Sequence, residues 1–331
     1  MVPGLNEDII TEIPVIDLND MNSDLEGTAS KVLSAAKDVG FFFIRIPPEQ
    51  KEHLAMFEKS QEFFSMPMDH KLKYLLKVEE NVGYSAMRQE KVDPKHSTKG
   101  DFKESFNIGR LINEDPIQDL PPLFANNLDL IRKFQNICNT TVCNIMECLA
   151  IALKIPEDQG GRTYFSKRYL DDEAPGDILR VLHYPPRTGN DDDQKEEIRI
   201  GRHSDYGLLT LLWQRQVGGL QIQGNQEMDD PKKMTWIDVP VKDDCIIVNL
   251  ADCLQYWTNG LIRSTTHRVV FHPDTLHKSR YSMAYFVQGG AIPLDPVPSD
   301  QIPCTPPTSP PFSTSGDYVK YRLALTYGHS Y

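Results

Sequence analysis

Apolar residues in the first half of the chain recur with the spacing of amphipathic helices. In 30–39 the apolar positions fall on one stripe, and Gly40 is expected to end that helix. A second helix is predicted over 49–65, and a longer one over 123–153. The long helix has one amphipathic face, formed by Leu128, Ile131, Phe134, Ile137, Val142, Ile145, Leu149 and Leu153.

Short apolar runs bounded by turn residues predict strands, and they dominate the chain after Gly176. Several short strands at this spacing are typical of a sandwich or a barrel. The fold is therefore expected to be mainly β with packed helices. The predicted strands are 14–18, 41–46, 178–184, 208–213, 220–223, 235–239, 245–250, 268–271 and 280–287.

We expect one domain over 1–331, because neither of two loop-like segments is long enough to divide the chain. The first, 188–197, is acidic and polar and predicts a solvated loop. The second, 293–311, is rich in proline and predicts an extended connector before a last short helix at 318–327. The expected parts are a mixed helical N-terminal part (1–175), a β core (176–290) and a C-terminal tail (291–331).

Composition narrows the possible functions. The chain carries a formal net charge of −12, which argues against a surface that binds nucleic acid or an anionic membrane. Its apolar runs are too short to span a membrane, and its acidic, polar start does not resemble a signal peptide. The six cysteines form no CxxC pair, which favours reduced thiols. These features predict a cytoplasmic protein that acts on a small molecule, with no obligate protein partner evident.

The candidate metal ligands are His203-Ser204-Asp205 and the distant His267. On a strand, residues i and i+2 point to the same face, so His203 and Asp205 can reach one ion. A histidine on a neighbouring strand would complete the set. Two imidazoles and one carboxylate leave one face of an octahedron open, as in non-haem iron(II) oxygenases. Zinc accepts the same ligand types and remains a competitor on this evidence.

A second pair, Arg280 and Ser282, shares a strand face thirteen residues after His267. A guanidinium offers a bidentate fork to a carboxylate, and the serine hydroxyl adds a donor. Iron(II) with one Asp ligand has a net charge of +1, and Arg280 adds another. The pair therefore predicts a site for a dicarboxylate dianion at the metal.

The stretch 180–288 resembles the isopenicillin N synthase-like branch of the 2-oxoglutarate and iron(II)-dependent dioxygenases. Its matching motifs include Arg180-Val181-Leu182-His183-Tyr184-Pro185-Pro186, His203-Ser204-Asp205-Tyr206-Gly207, His267-Arg268-Val269 and Arg280-Tyr281-Ser282. Matching pieces near the N-terminus, such as Gly40-Phe41-Phe42, extend the likeness over nearly the whole chain. Plant members usually carry Asn-Tyr-Tyr-Pro in place of Leu182-His183-Tyr184-Pro185. The pattern is closer to microbial and fungal members, including thymine dioxygenase and the ethylene-forming enzyme.

The resemblance implies a distorted double-stranded β-helix, or jelly roll, with the metal at one mouth. It implies that His203, Asp205 and His267 hold Fe(II), and that 2-oxoglutarate binds through Arg280, Ser282 and Tyr184. Dioxygen is the other co-substrate, succinate and carbon dioxide are products, and ascorbate is expected to support activity. Substrate oxidation, most often hydroxylation, would accompany the decarboxylation.

Four residues are candidates for the substrate pocket: Tyr206, Phe286, Asn107 and His183. Together they could form an aromatic sandwich with two hydrogen-bonding tips, which suits a flat polar ring such as a nucleobase. Tyr206 and Phe286 could instead be core aromatics. Two other functions stay open: an iron-dependent oxidase that needs no keto acid, as isopenicillin N synthase does, and a non-catalytic ligand-binding protein on the same scaffold.

Overall fold

A computed structural model describes residues 12–93, 99–111, 115–172, 176–187, 198–224, 235–303 and 312–327. The strands are β1 Val15–Ile16, β2 Phe41–Arg45, β3 Gly83–Ser85, β4 Glu104–Gly109, β5 Ile178–Tyr184, β6 Ile198–His203, β7 Leu209–Gln214, β8 Leu220–Gln223, β9 Trp236–Asp238, β10 Cys245–Leu250, β11 His267–Val270 and β12 Arg280–Val287. The helices are α1 Leu25–Asp38, α2 Glu52–Phe64, α3 Met68–Lys71, α4 Pro122–Ala125, α5 Leu128–Ala152, α6 Tyr164–Leu170, α7 Asp252–Trp257 and α8 Ser315–Tyr327.

The strands form two sheets. The larger has the order β1-β2-β10-β7-β12-β5-β4-β3, and the smaller has the order β6-β11-β8-β9. All pairs of these strands are antiparallel except β1 with β2. Residues from both sheets pack in one apolar cluster, which includes Phe43, Leu182, Ile200 and Val269. The two sheets therefore face each other, as expected for the double-stranded β-helix.

The run Phe41-Phe42-Phe43-Ile44 shows why central strands of the large sheet are apolar on both faces. Phe41 and Phe43 pack between the sheets, whereas Phe42 and Ile44 face the cluster that includes α1 and α5. Successive side chains of a strand point to opposite faces, so a strand covered on both sides has no polar positions. The helices thus shield one face of the large sheet, and the other face is left for the site.

Gly40 ends α1 as predicted, with φ at +72°. A Cβ at this position would lie 2.4 Å from the Thr265 hydroxyl and 2.6 Å from the Arg263 carbonyl oxygen. Only glycine therefore fits both the backbone and the approach of this loop. The start of α1 was predicted five residues too late. Its N-cap is Asp24, whose carboxylate accepts from the Gly27 amide at 2.9 Å.

Other differences concern element limits and missed strands. The helix predicted over 123–153 is interrupted before α5 begins at Leu128. Strands β3, β4 and β6 were not predicted, and β1 to β4 extend the large sheet with segments from before residue 176. The β core is thus built from more of the chain than 176–290. The acidic loop predicted at 188–197 and the last part of the proline-rich segment, 304–311, lie outside the described residues.

None of the helices in the described ranges combines the length and hydropathy that crossing a membrane requires.

Candidate active site

Three side chains that could hold a metal meet where the two sheets face each other. His203 ends β6, and it pairs directly with His267, the first residue of β11. The Nε2 atoms of His203 and His267 lie 3.8 Å and 3.7 Å from Asp205 Oδ1. Asp205 lies in the loop after β6, not on the strand as the i, i+2 argument assumed. The prediction that these residues converge is confirmed, although Asp205 reaches the site from a turn.

Hydrogen bonds fix the orientation of each of these groups. The Nδ1 atoms of His203 and His267 lie 2.8 Å and 3.0 Å from the carbonyl oxygens of Gly201 and Thr265, so each Nε2 is presented to the centre. Asp205 Oδ2 accepts from Thr210 Oγ1 at 2.5 Å and from Asn249 Nδ2 at 2.6 Å. Asp205 Oδ1 is thereby directed towards the two imidazoles.

Burial, followed by the neighbouring His267, lowers the pKa of His203 to about 3. Its imidazole is therefore neutral at physiological pH. Burial alone would raise the pKa of Asp205, but the two histidines and the hydrogen bonds from Thr210 and Asn249 lower it overall. Two imidazoles and one carboxylate fit a divalent transition metal, Fe(II) included.

Beside this centre is a cavity of about 60 Å³, called here the Arg280 cavity. Arg280, Ser282 and Tyr184 line it together with the three candidate ligands. Arg280 Nη1 donates to Ser282 Oγ at 3.1 Å, and its guanidinium lies 4.8 Å from the centre of the Tyr184 ring. Arg280 Nε is buried without a partner among the described residues, so the site offers an unused donor.

A second cavity, of about 70 Å³, shares His203, Asp205, Thr210 and Phe286 with the first. We call it the Tyr206 cavity. Its wall also contains Arg180, from β5, and Thr326, from α8. The candidate metal centre thus separates a cavity with an anchored guanidinium from one with aromatic and polar walls.

Comparisons with known proteins agree with this arrangement. The model of the 2OG-Fe(II) oxygenase superfamily matches 175–289, and the model described as non-haem dioxygenase in morphine synthesis N-terminal matches 13–128. The chain is 34% identical to UPF0676 protein C1494.01 of Schizosaccharomyces pombe, with 96% of this chain and 94% of that protein covered. It is 30% identical to the proline hydroxylase buaE of Petromyces alliaceus, with 81% and 83% covered.

Among solved structures, a full-length Neurospora crassa protein in complex with alpha-KG and thymine has a TM-score of 0.78 at 28% identity. The match covers 98% of this chain and 99% of that one. The chain belongs to the 2OG-Fe(II) oxygenase superfamily. This oxygenase uses Fe(II) and 2-oxoglutarate to oxidise a small organic molecule. The prediction of a keto-acid-dependent enzyme is confirmed, over both the keto-acid-independent oxidase and the non-catalytic protein.

Two of the four predicted substrate residues line the Tyr206 cavity of this oxygenase. Phe286 lies on the same face of β12 as Arg280 and Ser282 and borders both cavities. Tyr206 has its hydroxyl 2.6 Å from Thr326 Oγ1, and the Arg322 guanidinium lies 4.2 Å from its ring centre. The other two predicted residues lie elsewhere.

His183 faces away from both cavities, because it alternates with Leu182 and Tyr184 along β5. Its Nδ1 lies 2.8 Å from Glu104 Oε1 and its Nε2 lies 3.1 Å from Ser279 Oγ, and its ring stacks on Tyr281. His183 therefore lines neither cavity, and its contact with the substrate stays a prediction that this position does not support. Its place in sequence next to Tyr184 puts it on the opposite face of the sheet.

Asn107 is fully buried behind the cavity wall. Its Nδ2 donates to the carbonyl oxygen of Asn81 at 2.9 Å, and its Oδ1 accepts from Arg180 Nε at 2.7 Å. Arg180 lies between Asn107 and the cavity, so Arg180 is the polar residue that lines the wall. Asn107 orients Arg180 instead of lining the pocket.

Arg180 is the residue that sequence reasoning missed. Its Nη1 donates to Glu90 Oε2 at 3.2 Å, and its guanidinium lies 5.3 Å from the centre of the Phe286 ring. Glu90 also pairs with the buried Lys103. Strand periodicity could have predicted its position, because Arg180 lies four residues before Tyr184 on β5 and therefore shares its strand face. No such periodicity exists for Glu90, which reaches the cavity from an irregular segment.

Proposed function

We propose that this oxygenase hydroxylates a small, planar, polar ring held in the Tyr206 cavity, and that His203, Asp205 and His267 hold the iron. The proposal rests mainly on the observation that the two cavities meet at His203 and Asp205, while His267 lines the Arg280 cavity. The Arg280 cavity presents a guanidinium that can bind a dicarboxylate. The Tyr206 cavity is lined by aromatic rings and by the guanidinium of Arg180. When bound, the metal and the keto acid supply the oxidising chemistry.

The residues of the Arg280 cavity suit the keto acid. Arg280 and Ser282 present donors that can bind its distal carboxylate, and Tyr184 lies against the guanidinium. The remaining wall is mostly apolar, with Leu182, Ile200 and Leu212 among its members, so bound carboxylate and guanidinium would be shielded from water. An ion pair in such a site is weakly screened, which favours a keto acid with a distal carboxylate over one without it.

The residues of the Tyr206 cavity suit a flat heterocycle. Phe286 offers a ring face beside the metal ligands, and Arg180 offers guanidinium donors for a ring carbonyl. Asn107 and Glu90 hold Arg180 in place, so the donors are pre-organised. The structurally similar Neurospora crassa protein is in complex with thymine, a planar ring with two carbonyl groups. The small volume of the cavity also favours a compact substrate.

The proposal is tested with a panel of planar heterocycles, thymine and other pyrimidines among them, beside apolar rings and acyclic amides of similar size. Succinate release is measured under Fe(II) and ascorbate, and products are identified by mass. We expect one or more heterocycles to stimulate succinate release and to gain one oxygen atom. Arg180→Met should abolish most of this stimulation. Arg45→Met, which removes an exposed guanidinium paired with Asp244, should not.

If only apolar rings or acyclic compounds stimulate turnover, the heterocycle proposal is wrong. If no keto acid is bound or consumed under any condition, the assignment of the Arg280 cavity is wrong as well.

A further inference from the structure

Arg199, on β6, is a buried guanidinium close to the Arg280 cavity but not part of its wall. Its residue exposure is 1%, and its Nη2 donates to the Lys278 carbonyl oxygen at 3.3 Å. Its Nε is buried without a hydrogen-bond partner in the described ranges. The guanidinium lies 4.4 Å from the Phe271 ring centre and 5.7 Å from that of Tyr184. Its guanidinium thus contacts one carbonyl oxygen and two aromatic rings.

No carboxylate forms an ion pair with Arg199 among the described residues. Burial, followed by the nearby Arg280, lowers the pKa of Arg199 to about 10, so it remains charged at neutral pH. Arg280 is itself bonded to neutral groups, Ser282 and Gln214. In the part of the chain that the structure describes, two buried cations thus approach the same Tyr184 ring without an anion between them.

An uncompensated buried charge costs free energy, and two such charges near each other cost more. Contacts with aromatic faces recover only part of that cost. A ligand that brings negative charge into the Arg280 cavity would recover the rest. The positive charge near the cavity therefore suits a ligand with a distal carboxylate. Arg280 supplies only part of this charge, and Arg199 supplies the rest.

We propose that Arg199 is a second cationic determinant of the keto acid site, acting through the Tyr184 ring that separates it from the Arg280 cavity. It positions Tyr184 by stacking and adds positive potential where the distal carboxylate binds. The inference rests on the proposed function of the Arg280 cavity. It predicts selectivity for keto acids that carry a second carboxylate.

The expected size of the effect follows from charge and distance. At an effective dielectric constant of about 20, the attraction between a buried cation and a nearby carboxylate changes affinity by about tenfold. Arg199→Met should therefore weaken 2-oxoglutarate binding by about tenfold. It should affect 2-oxopentanoate, which has the same chain length but no distal carboxylate, by less than threefold or so. Arg199→Lys keeps the charge and should restore most of the affinity.

The experiment is calorimetric titration of the Fe(II)-loaded full chain under anaerobic conditions with both keto acids. The neutral variants are Arg199→Met and Arg199→Gln; the glutamine keeps a donor for the Lys278 carbonyl if the methionine variant fails to fold. Arg168→Met is the matched control. It removes one positive charge that stacks on Tyr164, away from the site, and should leave both affinities unchanged.

Thermal melting without ligand gives an independent readout. Because Arg199→Met removes an unpaired buried charge, its melting temperature should equal or exceed that of the native chain, while the shift produced by 2-oxoglutarate should shrink. Native affinity for 2-oxoglutarate in the neutral variants would overturn the inference. Equal losses for both keto acids, with earlier melting, would also overturn it, because they indicate packing alone. Failure of the native chain to bind either keto acid would instead refute the proposed function itself.

Discussion

The orientation of Asp205 depends on two hydrogen bonds that can be removed one at a time. Asn249 on β10 pairs with Thr210 on β7, so both side chains emerge at the same level and reach Asp205 Oδ2. Asn249→Ala removes the bond of 2.6 Å and leaves Thr210 as the remaining donor. The carboxylate would then rotate more freely, and Oδ1 would no longer be held towards the imidazoles.

The magnitude follows from the charge on the acceptor. A hydrogen bond to an ionised group contributes about 1.5–3 kcal/mol, and both donor and acceptor here are buried. Loss of groups that orient metal ligands typically lowers metal affinity by about 10–100-fold. We therefore expect Asn249→Ala to weaken Fe(II) binding by roughly that factor. Thr210→Val, which keeps the shape of the side chain, should have a similar effect.

The assay is anaerobic titration with Fe(II), or with Mn(II) as a redox-stable probe, beside thermal melting of the metal-free protein. Asn127→Ala is the matched control, because it removes a side-chain bond to the Leu123 carbonyl far from the centre. Its metal affinity should match that of the native chain. If Asn249→Ala folds normally and binds the metal as tightly as the native chain, Asp205 does not depend on this bond and the reasoning fails.

Three other predictions concern Arg280, Phe286 and the buried Asp177. Arg280→Lys keeps the charge but loses the fork that bonds Ser282 and Gln214, so the KM for 2-oxoglutarate should rise about tenfold or more; an unchanged KM would count against the anchoring role. Phe286→Ala should lower the amount of product formed per succinate released, with specificity reduced about tenfold. Because Phe286 is only half-buried, its loss of stability should be smaller than the roughly 3–5 kcal/mol of a core phenylalanine, and earlier melting with intact coupling would show that it only packs the barrel. Burial raises the pKa of Asp177 to about 6, so its contribution to stability is greatest below pH 4 and is lost as the pH rises through 6. About two pKa units correspond to at most roughly 3 kcal/mol, and the free energy of unfolding of the native chain relative to that of Asp177→Asn should fall by up to this amount between pH 4 and pH 7.

Strand periodicity accounts for several of the site residues that the sequence predicted. Arg280, Ser282 and Phe286 were placed on one face by counting in twos, and all three line a cavity. Polar residues inside apolar strands carry a similar signal. Thr210 and Asn249 interrupt otherwise apolar runs, and both are buried because they bond Asp205.

Periodicity fails where the chain leaves regular structure. Asp205 lies beyond the end of β6, so its convergence with His203 depends on a turn that counting cannot supply. Asn107 was predicted to contact the substrate, but the sequence does not distinguish a residue that lines the cavity from one directly behind its wall. Glu90 comes from a segment without helix or strand, and its role became evident only from its bond to Arg180.

The C-terminal helix α8 shows why the wall of the Tyr206 cavity could not be predicted from the local sequence. Thr326 of α8 reaches the Tyr206 cavity, yet the helix is held there by a carboxylate distant in sequence. Asp252 accepts hydrogen bonds from Tyr318 at 2.7 Å and Arg322 at 2.6 Å, both on α8. The same carboxylate accepts from the hydroxyl of Ser204, at 3.1 Å, between two of the candidate metal ligands. One buried acid therefore ties a cavity wall to the segment that carries His203 and Asp205, and the relative position of metal and substrate depends on a contact between residues that only the fold brings together.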